Sequence, residues 1–427
     1  MQTAGMKIPE AFLHHCWRWQ LWHRPLETTD GREIKVRSPG TPNVHEGPDF
    51  LDADIEIGGI RWRGHVEVDV RPADWQRHGH HRHVHYQNVI LHVVWNASEQ
   101  AGHTLPLLPI KDYVRKDVME KWDQLLHTSH IPMCGPLLDE SHRPVIQSTL
   151  ERAGLNRLHG QAQRILDWLA QGGHHWEGTA YRWMVRYMGS GPNIDAFEAL
   201  ALHLPIHILW KHRDQLDQVE ALLFGMAGLL PDVPSDNYSR MLQREFNFLQ
   251  HKYALRRPML QWKMARLRPA NFPTVRIAQL AAFIHHHGDF LRPLLSADSL
   301  QSIARLVHVP LSHYWQRHYY WGRPYLKKAP GLGRQWQTML LINVAAPLQY
   351  AYGLHQQLPQ LRKQAIKLWD RLPAEQHHIA RRYVSAGFST HSALHSQGVL
   401  YMFRRYCSPR KCMECPIGIT LLKGVAP

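Results

Sequence analysis

The sequence predicts an α+β fold, with a small mixed-sheet domain at the N-terminus followed by a large all-helical region. Three observations predict it. Residues 50–71 alternate apolar and polar side chains with the two-residue period of strands, broken once by the tight-turn dipeptide Gly58-Gly59. From about Asp112 onward the chain is rich in Leu, Gln, Arg and His at helical spacing, as in 145–169, 216–230, 277–291, 337–350 and 358–371. Charge divides at the same place: residues 1–125 carry 15 Lys+Arg against 17 Asp+Glu, and the remainder carries 35 against 18. A chain of 427 residues exceeds one ordinary core. The expected division is therefore 1–125 and 126–427, the second part ending in a cysteine-bearing tail over 407–418.

Composition excludes several classes. Hydrophobic residues make up 44% and charged residues 20% of the chain, which rules out a disordered polymer. No apolar run approaches the roughly 20 residues of a membrane span, and the opening MQTAGMKIPEAF lacks the basic-then-apolar plan of a signal peptide. Five cysteines, three of them within the last 21 residues, do not form a secreted disulfide framework. A cytoplasmic protein with no membrane partner is expected. The basic excess beyond residue 125 suits a polyanion such as nucleic acid, and a solvated basic surface accounts for it as well.

Each element has its own signal. Residues 8–23 predict a helix, with Phe12, Leu13, Trp17 and Leu21 at three- to four-residue steps, Pro9 in the first turn, Glu10 near the start and Pro25 closing it. Glu33–Arg37 alternates and meets the turn SPGTPN, as a strand does. A two-residue loop at Gly58-Gly59 sets Ile57 opposite Ile60, Glu56 opposite Arg61, Ile55 opposite Trp62 and Asp54 opposite Arg63. The second strand continues with Val66, Val68 and Val70 on one side and His65, Glu67, Asp69 and Arg71 on the other. Residues 88–95, NVILHVVW, read as a strand buried on both faces. Beside such a strand, burial tunes the acids of its neighbour.

The acids, their order and their surroundings carry a resemblance. GPDF (47–50), GHVEVD (64–69), ADW (73–75) with HGH (78–80), and NVILHVVW (88–95) resemble a bacterial family of domains of unknown function, family 2851. EALLFGMAGLL (220–230), LRPANFP (267–273) and the cysteine tail extend the resemblance over nearly the whole chain. The N-terminal core is in turn similar to the PD-(D/E)XK plan of restriction-endonuclease-like nucleases: helix, strand, acid-bearing hairpin, helix, strand. That similarity implies a restriction-endonuclease-like domain in which Asp49, after Pro48, and Glu67 hold Mg2+ or Mn2+ for phosphodiester hydrolysis.

Two departures accompany the similarity. Where the plan has a lysine, two residues after the glutamate, this chain has Asp69, which would serve as a further metal ligand. Arg71, two residues on, brings a positive charge but cannot act as a general base. Regular hairpin pairing also sets Asp49 opposite Val68 on the apolar face, away from Glu67. Either a bulge follows Pro48 or Asp52 takes the ligand role.

Two further clusters hold metal-ligating types. His78, His80, His81, His83 and His85 crowd one segment, in a chain with 33 histidines, and imidazole suits Zn2+, Mn2+ or Fe2+. His78 and His80 stand out through the DW…HGH pattern, with Asp74 placed to orient them and Tyr86 to contact a phosphate. Cys407, Cys412 and Cys415 form C-x4-C-x2-C before Pro416, and Cys16 or Cys134 would complete the set for a [4Fe–4S] cluster or for Zn2+. The aromatic and basic residues of 312–328 suit either a nucleic-acid groove or a buried aromatic cluster with a basic rim.

The expectation is a metal-dependent nuclease. Asp49, Glu67, Asp69 and Arg71 form its catalytic group, assisted by Asp74, His78, His80 and Tyr86, with DNA or RNA as partner. The alternatives are a non-catalytic nucleic-acid-binding protein on a decayed nuclease core and a metal-binding protein centred on the histidines.

Overall fold

The computed structural model describes residues 8–97, 105–189, 191–325 and 332–424, with the side chain of His81 outside that description. Helix α1 (Glu10–Arg18) opens the described chain. Its Phe12, Leu13, Cys16 and Trp17 are buried, and Glu10 and His14 sit one turn apart outside that apolar set. The helix stops short of the expected residue 23. Trp19 leaves helical geometry, Gln20 turns left-handed at φ 51°, and Trp22 instead bridges Val114.

One sheet follows: β1 (Leu26–Glu27), β2 (Glu33–Ser38), β3 (Thr41–Pro42), β4 (Phe50–Ile57), β5 (Ile60–Asp69), β6 (Val89–Val94) and β7 (Leu107–Pro109). Its spatial order is β1-β2-β4-β5-β6-β7, with β3 on the edge of β4. Strands up to β5 pair antiparallel, while β6 and β7 join parallel. The sheet is mixed, as the sequence predicts.

The β4–β5 hairpin has the predicted register, from Ile57 opposite Ile60 to Asp54 opposite Arg63. Gly58 and Gly59 sit at φ 57° and 81°, the left-handed region that a two-residue hairpin turn requires and side chains resist. The charge pairs differ from simple cross-strand partners. Asp54 accepts from Arg61 Nε and Nη2 at 2.8 and 2.5 Å. Glu56 turns to β2, where Lys35 and Arg37 lie 3.5 and 3.3 Å away. An inner strand has two neighbours, and the side offering two cations wins.

Strand β6 is brought in beside β5 at Gly64. A Cβ there would lie 2.6 Å from the Asn88 carbonyl and 2.5 Å from Ile90, so only glycine lets the two strands meet at this point. His65 N–H then donates to the Asn88 carbonyl at 2.8 Å, and the parallel pairing runs on to Asp69 opposite Val94.

The chain forms two compact units. The first comprises 1–149, 378–389 and 402–427, and the second 150–377 and 390–401. A single cut at 125/126 therefore does not describe the division, because the C-terminal tail packs back on the first unit. Helix α3 (Lys116–His127) lies against the helix Pro416–Lys423, and Arg410 donates to the carbonyls of Leu126 and Thr128 at 2.7 and 3.2 Å.

The second unit is helical around a core that includes Trp183, Phe197, Phe224, Trp315 and Trp369. Among the described residues it departs from an all-helical plan in one short hairpin, His318–Tyr320 with Arg323–Pro324. Within 312–328, Trp315 and Trp321 are buried and Trp315 stacks on Phe224 at 4.9 Å, while Arg317 and Arg323 are exposed. That stretch is an aromatic cluster with a basic rim; residues 326–328 lie outside the described residues. No helix among the described residues is long and apolar enough to cross a membrane.

Candidate metal centre

Strict alternation along β4 would send Asp49 to the face away from Glu67. The register slips once instead: Ala53 pairs with Gly64, but Phe50 pairs with Val66, so β4 carries one residue more than β5 over this span. Asp52 is the bulge residue, exposed and at φ 56°. Asp tolerates that left-handed region better than most residues, and its N–H donates to His65 Nδ1 at 3.3 Å. Every position before the bulge is thereby shifted by one, which brings Asp49 level with Glu67. The Asp49 N–H donates to Glu67 Oε2 at 3.2 Å, and Asp49 Oδ2 accepts the Val68 N–H at 3.0 Å. Of the two routes open from sequence, the bulge is the one taken.

Three other elements deliver side chains to this pair. Helix α1 contributes His14, whose Nε2 is 3.3 Å from Asp49 Oδ2, and Glu10, 3.6 Å from the same nitrogen. Strand β6 sets His92 in register with Glu67, and its Nε2 lies 3.1 Å from Asp69 Oδ2 with both residues buried. The segment after β5, with the short helix α2 (Asp74–Arg77), returns His78 to 3.6 Å from Asp69 Oδ1 and His80 to 3.0 Å from Glu67 Oε1. The His80–Glu67 approach is out of line for a hydrogen bond, so His80 Nδ1 is buried without a hydrogen-bond partner. Its ring stacks on Tyr86 at 4.1 Å. Two groups of three donor atoms each fall within 4.8 Å of one another, Asp69–His78–His80 and Glu10–His14–Asp49. Acids and histidines are one cluster, not rival centres; His83 and His85 remain exposed.

The electrostatics are those of a site short of positive charge. Glu67 is 4% exposed, and its carboxyl is pushed up to about 9, first by burial and then by the charges of Asp49 and Asp69. Burial also raises Glu10, with Asp49 and Asp69 adding to it against His14. Tyr86 is raised to about 12 by burial, followed by Glu67, Asp49 and Asp69. Burial works against a charge on His14, but the hydrogen bond and charge of Asp49, with Glu10, outweigh it and the net shift is upward. Burial lowers His80. Several carboxylates share one place and the carboxyl of Glu67 is pushed toward its protonated form, an arrangement that a cation relieves.

Two expected roles are corrected. Arg71 follows the end of β5, and its guanidinium Nη2 bonds Asp74 at 3.3 Å; no contact with Glu67 or Asp69 is found for it among the described residues. Asp74 does not orient the histidines directly. It accepts from Arg71 N–H at 3.2 Å and lies 2.7 Å from Arg77 Nη2, and Arg77 in turn is 3.3 Å from His78 Nε2. Three residues of the cluster were not foreseen: Glu10, His14 and His92. The i, i+4 spacing of Glu10 and His14 on one helix was a usable signal, as was a lone histidine inside the apolar run of β6.

The tail thiols converge separately. Cys134 lies within electrostatic reach of Cys407, Cys412 and Cys415, and those three of one another. Cys16 is 1% exposed in the core face of α1, and burial alone acts on it. Of the two candidates for a fourth member, Cys134 is the one at hand.

An antiparallel hairpin, a helix and a parallel strand that bring carboxylates and imidazoles to one place define an α+β protein with a carboxylate–histidine donor centre. The chain belongs to the family described as Protein of unknown function (DUF2851), whose model matches residues 10–378. No curated protein and no solved structure matches it.

Proposed function

We propose that this chain is a metal-dependent nuclease, hydrolysing phosphodiesters of DNA or RNA at the Asp49–Glu67 centre. The observation that carries this reading is the bulge at Asp52, which sets Asp49 beside Glu67 on adjacent strands. The order Pro48-Asp49, Glu67 and then a parallel strand supports reading the core on the PD-(D/E)XK plan.

The donor set fits a divalent cation. Asp49, Glu67 and Asp69 offer oxygens suited to Mg2+ or Mn2+, and His78 and His80, close to Asp69 and Glu67, tilt the preference toward Mn2+. Such an ion, when bound, lowers the pKa of a water and offsets charge on the phosphate. The chain's own groups have separate tasks. Asp49 and Glu67 are pre-positioned by backbone hydrogen bonds, His92 fixes Asp69, and the Tyr86–His80 stack holds the imidazole against Glu67. The 35 basic against 18 acidic residues beyond position 125 supply a footprint for a polyanion.

One observation favours a second reading, a non-catalytic nucleic-acid-binding protein. The lysine position of the plan holds Asp69, engaged by His92. Labelled single- and double-stranded DNA and RNA, incubated with Mg2+ or Mn2+, separate the two. Cleavage by the wild type that Glu67→Gln loses supports the nuclease. Retained binding with no cleavage under any of these conditions overturns it in favour of the second reading.

A further inference from the structure

The strongest unassigned feature outside the acidic cluster is the set of tail thiols. Helical structure from Ala393 ends in a turn at Cys407. Arg410 reverses the chain at φ 56°, Cys412 begins a short turn, and Cys415 caps the helix Pro416–Lys423. That helix packs tightly on the loop: a Cβ on Gly418 would fall 2.1 Å from the Cys412 carbonyl. Cys134 comes from the first unit's own sequence, just after the Leu126 and Thr128 carbonyls that Arg410 grips. The neighbouring Gly135 lies against Ala386, where a Cβ would be 2.9 Å from the Ala386 Cβ. Ala386 follows the helix bearing Tyr383, whose hydroxyl donates to Cys407 Sγ at 2.9 Å. The N–H groups of Ile417 and Gly418 point to the Cys415 sulfur. Four thiols, 6–9% exposed in three cases and half-buried at Cys412, thus converge from two distant parts of the sequence, two of them with hydrogen-bond donors aimed at sulfur.

We propose that Cys134, Cys407, Cys412 and Cys415 bind a [4Fe–4S] cluster that fastens the C-terminal segment to the N-terminal unit. Four thiolates, a proline after the last cysteine and donors to the sulfurs match cluster ligation. A mononuclear zinc site would take the same four thiolates, and the metal content decides between the two. The cluster's role here is structural, and it involves no electron transfer.

The full-length chain, purified anaerobically and then reconstituted with iron and sulfide, tests this directly. The expected result is a brown protein with about four iron and four acid-labile sulfide per chain. Cys134→Ser and Cys412→Ser should lose most of that iron, whereas Cys16→Ser keeps it. Circular dichroism of each variant separates ligand loss from unfolding, and the half-buried Cys412 is the position at which substitution disturbs packing least. About one zinc per chain without iron would overturn the cluster. So would a colourless protein whose four thiols all react with an alkylating reagent in the native state. Iron retained in Cys134→Ser would overturn the ligand set. None of these readouts depends on nuclease activity, so the two proposals fail independently.

Discussion

The Asp49 backbone N–H bonds the Glu67 carboxylate at 3.2 Å, while the Asp49 carboxylate takes the N–H of the residue after Glu67, Val68, at 3.0 Å. Each acid is thus held by the other's strand. The pair is positioned by sheet pairing, not by long side chains finding one another, which is the kind of support a first ligand shell needs.

Asp52 should be sensitive to shape and indifferent to charge. Asp52→Gly keeps the left-handed bulge and is expected to leave stability and cleavage nearly unchanged. Asp52→Val, β-branched at positive φ, should cost about 1–2 kcal/mol and lower cleavage by moving Asp49. Denaturant titration and Mn2+ calorimetry on both variants check this; equal behaviour of the two would remove the bulge from the explanation.

Metal-free stability should fall as pH rises. Glu67 has its folded pKa raised to about 9, against an unfolded value near 4.3. The folded state therefore binds the extra proton between those values, and its stabilising effect is complete below the unfolded pKa and lost as pH climbs through the folded one. The slope is at most about 1.4 kcal/mol per pH unit. In EDTA the melting temperature should drop from about pH 5 to pH 8, Glu67→Gln should flatten that drop, and added Mn2+ should reverse it. A wild-type profile as flat as the variant's would contradict the assignment.

His92→Leu should destabilise the protein by about 3 kcal/mol, because it leaves Asp69 buried without the imidazole 3.1 Å away. Adding Asp69→Asn to that background should recover part of the loss. If thermal melts show the two substitutions to be additive, the pair is not coupled.

The imidazoles should decide which ion is preferred. Removing both by His78→Ala and His80→Ala is expected to weaken Mn2+ by about tenfold or more while changing Mg2+ affinity less, since Mg2+ favours the carboxylate oxygens. Competition calorimetry with the two ions reads this out.

The parts of the fold legible in sequence were those governed by local period. Alternation around Gly58-Gly59 set the β4–β5 register from Ile57 opposite Ile60 as far as Ala53 opposite Gly64, and the apolar run of β6 marked a central strand. The end of α1 was not legible, because the left-handed Gln20 and the Trp22–Val114 bridge depend on a residue far along the chain. The site was half legible. Asp49 and Glu67 stood out by type and order, but whether they meet rests on a single backbone torsion at Asp52. Arg71 was misjudged because its reach to Asp74 depends on how the chain turns after β5. The choice between Cys16 and Cys134 was invisible for a related reason: thiols distant in sequence are brought together by tertiary packing alone.

The bulge makes the length of β4 a parity switch. Side chains alternate, so one further residue added to β4 without a second bulge would swing Asp49 to the opposite face, whatever that residue's chemistry. Removing the bulge residue itself would instead leave a regular strand with Asp49 still level with Glu67. Replacing side chains along this strand tunes the centre by degrees, whereas the offset between the two strands decides whether the acids meet at all. A redesign of this hairpin therefore has to preserve the two glycines at its tip and the one-residue offset at its base.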